Sequence, residues 1–416
     1  KKKIKMKILH INYHQNQGGA SVAANRLVEA LNANNIDSKL LVNEKTTHNK
    51  FVQSQFKYIY GLYFHKIKKI LSIYIKKMLG ANDIYKDSIS IFPSNLHKKI
   101  NNSSADIINL HWICNEMISL KEIKKINKPI VWTLLDMWPF AGSTHYTDND
   151  FYRFPNKNYN NYKKFNIENW VLNRKTKYFH KDIVIVCISN WMSKLAKQSH
   201  IFKNNKIYTI PLTIDIDEWK SVGKECAKKT LNFDKNKKHF LFSAYNGIND
   251  ERKGFDLLLK AVSKLDIAIN DFKIVILGNT NGLEEIKKKY KYNFITFDKK
   301  NPVADYDLIK TVYSACDILI MPSRLEAFGQ VALEAGSCSL PCVSFKDTGI
   351  ADIIIHNQDG YLAEYLNVED LAKGINLLNN EIINNQMSKE IRKKIIQEFS
   401  YKSVSKKYEN IYKTLI

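Results

Sequence analysis

Long apolar runs are missing from this chain. None approaches the ~18 uninterrupted apolar residues that a membrane-crossing helix requires, so no such helix is expected. Eight prolines and 15 glycines in 416 residues are too few for a Pro/Gly-rich low-complexity or fibrous protein. The six cysteines (Cys114, Cys187, Cys226, Cys316, Cys338 and Cys342) fit no zinc or redox spacing, which reads as reduced, mostly buried thiols of a cytoplasmic protein. The basic start leads into polar Asn12–Gln17 without the apolar core of a signal peptide, so none is expected. Acidic side chains are scarce in one half only. Residues 1–200 hold 32 basic against 13 acidic side chains, a net +19, whereas residues 201–416 hold 32 against 28, a net +4. A Lys-rich composition explains many lysines but not this asymmetry. A single-sign field on one half points to an anionic partner, either nucleic acid or an acidic membrane surface.

What is present is globular. Apolar residues make up 44% and charged residues 25%, and the length suits two domains of about 200 residues each. The first half reads as strand Ile8–Ile11, a turn at Gly18-Gly19-Ala20, an amphipathic helix over Ala23–Leu31 and a strand at Lys39–Val42. Further strands are expected at Ile107–Leu110, Ile130–Leu134, Ile183–Ile188 and Ile207–Ile210. Near-continuous β-branched runs of this kind suit parallel strands buried on both faces. After Pro211 the pattern restarts, with strands at His239–Ala244, Lys273–Leu277, Phe294–Phe297, Ile318–Met321 and Cys342–Phe345. Helices near Gly254–Leu265, Leu283–Lys289, Asp305–Ser314, Gln330–Ser337 and Val368–Leu378 alternate with them. The expected architecture is α/β, two doubly wound Rossmann-like domains facing across a cleft. Their expected extents are 1–212 and 213–399, with a helix in 400–416 packing back on the first domain.

Three segments carry chemistry. Gly18-Gly19-Ala20 lies between a strand and a helix, where a turn opens either a plain bend or an anion site at the helix amino end. It is not the dinucleotide G-x-G-x-x-G pattern. Arg252-Lys253-Gly254 precedes an apolar helical stretch; two cations and a glycine there can grip a diphosphate or simply make a solvated loop. In Met321–Ala335, Glu326 and Glu334 stand in an E-x7-E spacing around Phe328-Gly329-Gln330. A loop carboxylate and one about a turn into the next helix can face one bound molecule, and carboxylates accept hydrogen bonds from vicinal sugar hydroxyls. Taken singly, either glutamate is equally a surface or helix-cap residue.

Together these residues resemble the retaining GT-B glycosyltransferases of glycosyltransferase family 4, and among them bacterial surface-polysaccharide transferases. Leu110-His111-Trp112-Ile113, Trp132–Phe140, Ser189-Asn190-Trp191 and Thr348-Gly349-Ile350 extend that resemblance over almost the whole chain. The resemblance implies that Glu334 holds the ribose of a nucleotide and Glu326 the donor-sugar hydroxyls. It assigns Gly18, Gly19, Arg252, Lys253, Phe328, Gly329 and Gln330 to the donor site, with Arg252, Lys253 and the amides of Gly19, Phe328 and Gly329 on its diphosphate. Asp136 and His145 join Glu326 as catalytic residues. It implies a UDP-sugar donor, a saccharide or lipid-linked saccharide acceptor and no cofactor. Two positions depart from the pattern: Leu135 stands where a histidine is usual, and Leu212-Thr213 replaces the usual Asn-Gly of the interdomain hinge.

Three D-x-D triplets, at Asp148–Asp150, Asp215–Asp217 and Asp305–Asp307, could in principle hold a metal on a diphosphate. With cations already assigned there they read as solvated turns, and no metal is expected. Over Lys57–Leu79, Ile59, Leu62, Tyr63, Ile67, Ile70, Leu71, Tyr74 and Met78 share one helical face and Lys57, His65, Lys68, Lys69, Ser72 and Lys76 the other. Such a helix either lies on an anionic bilayer or turns its apolar face into a core. The expectation is a cytoplasmic enzyme, peripheral at the inner face of the cell membrane, with no nucleic-acid partner. Its rivals are a basic nucleic-acid-binding protein and, because of Leu135, a catalytically silent scaffold of the same fold.

Overall fold

The computed structural model describes residues 6–56, 58–81, 87–147, 166–180, 182–245, 247–297 and 305–416. The chain forms two compact units, Lys1–Pro211 with Val404–Ile416, and Leu212–Ser403.

The first unit is built on a seven-stranded, all-parallel sheet of β1 (Lys7–Ile11), β2 (Asp37–Val42), β3 (Val52–Ser54), β4 (Ile107–Leu110), β5 (Ile130–Leu134), β6 (Val184–Cys187) and β7 (Ile207–Thr209). Its spatial order is β3-β2-β1-β4-β5-β6-β7, with the topological switch between β1 and β4. The inner strands are sealed on both faces, as their β-branched runs require. The helix Tyr401–Lys413 supplies part of the core: Val404, Tyr408, Ile411 and Tyr412 pack with Ile107, Val131 and Val184. Two buried hydroxyls fix its seat, Tyr412 accepting from the Asn109 amide at 2.7 Å and Tyr408 meeting Thr133 Oγ1 at 3.1 Å.

The second unit has a six-stranded, all-parallel sheet of β8 (Lys238–Ala244), β9 (Phe272–Gly278), β10 (Phe294–Phe297), β11 (Ile318–Met321), β12 (Cys342–Phe345) and β13 (Gly360–Ala363). Its order is β10-β9-β8-β11-β12-β13, so the switch falls between β8 and β11. Phe240, Phe242, Ile274, Ile276, Ile318 and Ile320 from the sheet meet Phe255, Leu258 and Leu259 from the helix Phe255–Val262. The sequence pattern did not reveal β3, β13 or the helix Glu381–Glu398.

The orientation of one helix, left open by its periodicity, is decided by packing. Ile59–Met78 forms as expected, but it packs by its polar face. His65, Ser72 and Lys76 are the buried side chains, while Tyr63, Phe64, Ile67, Ile70, Tyr74 and Met78 are 52–86% exposed. The core-facing alternative is therefore excluded for the apolar stripe, and the lysine side is not uniformly solvated. Each buried polar group has a partner that accounts for the seat. His65 Nε2 lies 2.9 Å from Asn43 Nδ2 and 3.1 Å from the Tyr13 hydroxyl, Ser72 donates to Glu116 Oε1 at 2.8 Å, and Lys76 donates to the Asp87 carbonyl at 2.7 Å.

Candidate active site

At the carboxyl end of β8 the chain makes a short 3-10 turn, Glu251–Lys253, opened by Asp250, whose side chain accepts from the Arg252 N–H. Gly254 ends the turn with φ +71 and opens the helix Phe255–Val262. A Cβ there would stand 2.0 Å from the Pro322 carbonyl, so only glycine lets this turn lie against the loop that follows β11. The two loops are then tied together: Arg324 N–H donates to the Arg252 carbonyl at 2.8 Å, and the Arg252 guanidinium to the Leu325 carbonyl at 3.2 Å.

This closure brings together residues 73 positions apart. Lys253 Nζ lies 2.5 Å from Glu326 Oε2, and both side chains are largely covered, 17% and 11% exposed. Burial alone would push the Glu326 carboxyl up. The Lys253 and Arg252 charges and the Phe328 N–H outweigh it, holding Glu326 below the usual carboxylate range. Gly329 has φ +99 and caps the helix Gln330–Ser337; a Cβ would meet Ile350 Cγ1 at 2.8 Å. The Thr348-Gly349-Ile350 turn packs on the same loop, with Gly349 N–H donating to the Glu326 carbonyl at 2.8 Å. Phe328 is buried against Phe399 and anchors the loop rather than lining an open surface. Glu334 sits on the fifth residue of its helix and is also nearly covered; the Tyr313 hydroxyl donates to it at 3.2 Å. Thus Arg252, Lys253, Glu326, Phe328, Gly329, Gln330 and Glu334 belong to two adjoining loops and the helix start behind them.

The first unit holds the other candidates. Gly18 has φ +78 and opens the helix Gly18–Ala33, whose N-cap Gln17 provides no side-chain cap. The preceding loop is tied to β1 by Asn12, which donates to the His14 carbonyl at 2.7 Å and accepts from Trp112 N–H at 3.0 Å. Asp136, just beyond β5, lies 2.5 Å from His145 Nδ1 and accepts from the Trp112 indole at 2.8 Å; His145 Nε2 reaches Ser88 Oγ at 2.9 Å. Trp138 N–H donates to the second Asp136 oxygen at 3.0 Å. Asp136 and His145 were legible in the sequence, and Trp112 only as part of a shared motif, whereas their other supports, Ser88 and Lys175, carried no signal. Lys175 is fully buried and donates to the carbonyls of Trp138, Ala141 and Gly142, closing the loop between Asp136 and His145. Nothing in its helix, Ile167–Tyr178, signals that role. Leu135 is half-buried beside this group.

Of the D-x-D triplets, Asp148–Asp150 lies outside the described residues. Asp215 accepts from the N–H groups of Asp217 and Glu218, an ordinary turn, and Asp305 precedes the helix Tyr306–Ala315. Among the described residues no three His, Cys, Asp or Glu side chains converge as a metal site.

Two parallel-sheet units with this strand order make a GT-B architecture, the class to which the fold assigns the chain. Residues 224–394 match the family model described as Glycosyl transferases group 1. An uncharacterized glycosyltransferase of Methanocaldococcus jannaschii is 28% identical over 211 residues, 45% of this chain and 59% of the relative. The capsular polysaccharide biosynthesis glycosyltransferase CapM of Staphylococcus aureus is 24% identical over 246 residues, 56% and 62% of the two chains. The chain thus spans less than two thirds of the length of the first curated relatives it matches. In three dimensions it matches Anabaena Alr3699/HepE in complex with UDP-glucose, with a TM-score of 0.63, 15% identity, and coverage of 99% of this chain and all of the other.

Proposed function

We propose that the chain is a retaining glycosyltransferase of family 4. It moves a hexosyl or N-acetylhexosaminyl group from a UDP-sugar to a lipid-linked or growing saccharide in cell-surface polysaccharide biosynthesis, without a metal ion. The observation that carries the proposal is the covered Lys253–Glu326 pair beside Arg252 on two mutually locked loops. Breaking the anomeric C–O bond leaves its electron pair on the diphosphate and builds positive charge on the sugar ring. Arg252 and Lys253 neutralise the first, with the amides at the start of Gln330–Ser337 beside them, and no reorganisation is needed because the loops are fixed beforehand. Glu326 accepts hydrogen bonds from donor-sugar hydroxyls, and Glu334 holds the ribose. In the first unit, Asp136 and Ser88 hold His145 at its two ring nitrogens, and the Asp136–His145 pair serves the acceptor side. Among the described residues no carboxylate stands out as a covalent nucleophile, so the acceptor hydroxyl attacks from the front face through an oxocarbenium-like state and its proton passes to the departing diphosphate.

The donor complex of Anabaena Alr3699/HepE supports the choice of UDP-sugar, and the role of CapM supports a polysaccharide setting. The test is calorimetric titration with UDP followed by a transfer assay, with the product anomer read by NMR. Glu326→Ala should abolish transfer and leave UDP binding largely intact. Wild-type turnover in that variant, or an inverted product anomer, would refute the assignment.

A further inference from the structure

The helix Ile59–Met78 shows water the face that a globular protein normally hides. Tyr63, Phe64, Ile67, Ile70, Tyr74 and Met78 run along one side at helical spacing, each more than half exposed. Apolar patches of this kind on folded proteins mark docking surfaces rather than accidents of packing. The orientation is enforced from below, because the polar side is bound to Asn43, Glu116 and the Asp87 carbonyl. Rolling the helix inward would strand those groups.

We propose that this face lies on the surface of an anionic lipid bilayer. Charge decides between occupants. The helix carries five lysines and no acidic residue, and no Asp or Glu occurs anywhere between Glu44 and Asp83. Lys66 and Lys77 are exposed at the borders of the apolar stripe. A second copy of this chain would bring the same positive sign against it, whereas anionic headgroups complement it. Tyr63 and Tyr74 have apolar bodies with hydroxyl tips, the residue type that settles at headgroup depth. Twenty residues give about 30 Å of helix to lie in the interface. No helix among the described residues is long and apolar enough to cross the bilayer, so contact is along the surface.

The inference stands apart from glycosyl transfer and is tested separately. Sedimentation with vesicles of equal phosphatidylglycerol and phosphatidylcholine should carry the protein down, pure phosphatidylcholine should not, and added salt should release it. Lys66→Gln with Lys77→Gln should lower partitioning roughly 30-fold, at the usual strength of two lysines near such a surface. Ile67→Ser, Ile70→Ser and Tyr74→Ser together should lower it on the order of 100-fold, as expected for lost apolar burial. The unfolding temperature of both variants should stay put, since these side chains are already in water. Wild-type protein left in the supernatant would overturn the proposal, as would triple-serine protein that binds like wild type. So would a dimer, lost in that variant, formed without vesicle binding. UDP titration of the same samples keeps the two readings separable: vesicle binding without UDP binding would sink the proposed activity and leave the docking face standing.

Discussion

Replacing Lys253 by methionine removes one charge from the centre of the candidate donor site and keeps the length of the side chain. Glu326 would then remain as a covered carboxylate with only Arg252 and the Phe328 N–H to compensate it. Removing one partner of a buried ion pair commonly costs about 3–5 kcal/mol. The two surviving partners put the expected loss at the lower end, about 3 kcal/mol. Glu326→Gln should cost less, about 1 kcal/mol, because a lysine stem can turn its ammonium toward solvent. The double variant leaves no unpaired charge and should fall short of the summed losses by about 2 kcal/mol. Acid supplies an independent handle. The Glu326 carboxyl is held below its ordinary value, so the pair stabilises the fold above that value and ceases to do so as pH falls through the depressed one. The gap between wild type and Lys253→Met should therefore close in acid. Hydrogen exchange of peptides spanning β11 and β12 reads the second unit directly, whereas Trp219 is the single tryptophan of that unit and fluorescence would report mainly the other. A loss below about 0.5 kcal/mol at pH 7, or a gap that widens in acid, would refute the reasoning.

Three further outcomes are expected. Glu334→Ala should weaken UDP binding by roughly 1–3 kcal/mol, the usual cost of a lost hydrogen bond to a charged group, measured by calorimetry. Transfer should persist in excess EDTA and vanish in Arg252→Ala with Lys253→Ala; loss on chelation with recovery in manganese would instead implicate a D-x-D triplet. Burial pushes the Lys175 ammonium down to about 7, so the unfolded chain binds this proton more readily than the folded one above that pH. Urea titrations should accordingly show stability rising with pH between about 7 and 10.5 through this group, and Lys175→Met should flatten that slope.

Much of the architecture was legible because the inner strands announce themselves. Ile107–Leu110, Ile318–Met321 and Cys342–Phe345 form where their apolar runs put them. The misses have local causes. Val52-Gln53-Ser54 and Gly360–Ala363 are short edge strands with little β-branched content. In Glu381–Glu398 the apolar spacing of Ile383, Met387, Ile391 and Ile395 is diluted by Asn384-Asn385 and a charged surround. Periodicity located the stripe on Ile59–Met78 but could not say which side faces in, since the decision rests on Asn43 and Glu116, remote in sequence. The E-x7-E segment was readable for the same reason that the Lys253–Glu326 pair was not: one is a spacing within 9 residues, the other a contact that only the packing of Gly254 on Pro322 creates.

The return of Tyr401–Lys413 to the first unit has a consequence for how the protein is made. Val404, Tyr408, Ile411 and Tyr412 complete a core whose other members, such as Ile8 and Leu31, leave the ribosome nearly 400 residues earlier. The second unit, by contrast, is continuous from Leu212 to Ser403 and can close as soon as it emerges. The amino-terminal sheet must therefore wait, with a gap over β4, β5 and β6, until Tyr401–Lys413 arrives. During that interval Ile107, Val131 and Val184 are uncovered, so the helix Tyr401–Lys413 has a hold over the folding of a sheet made long before it.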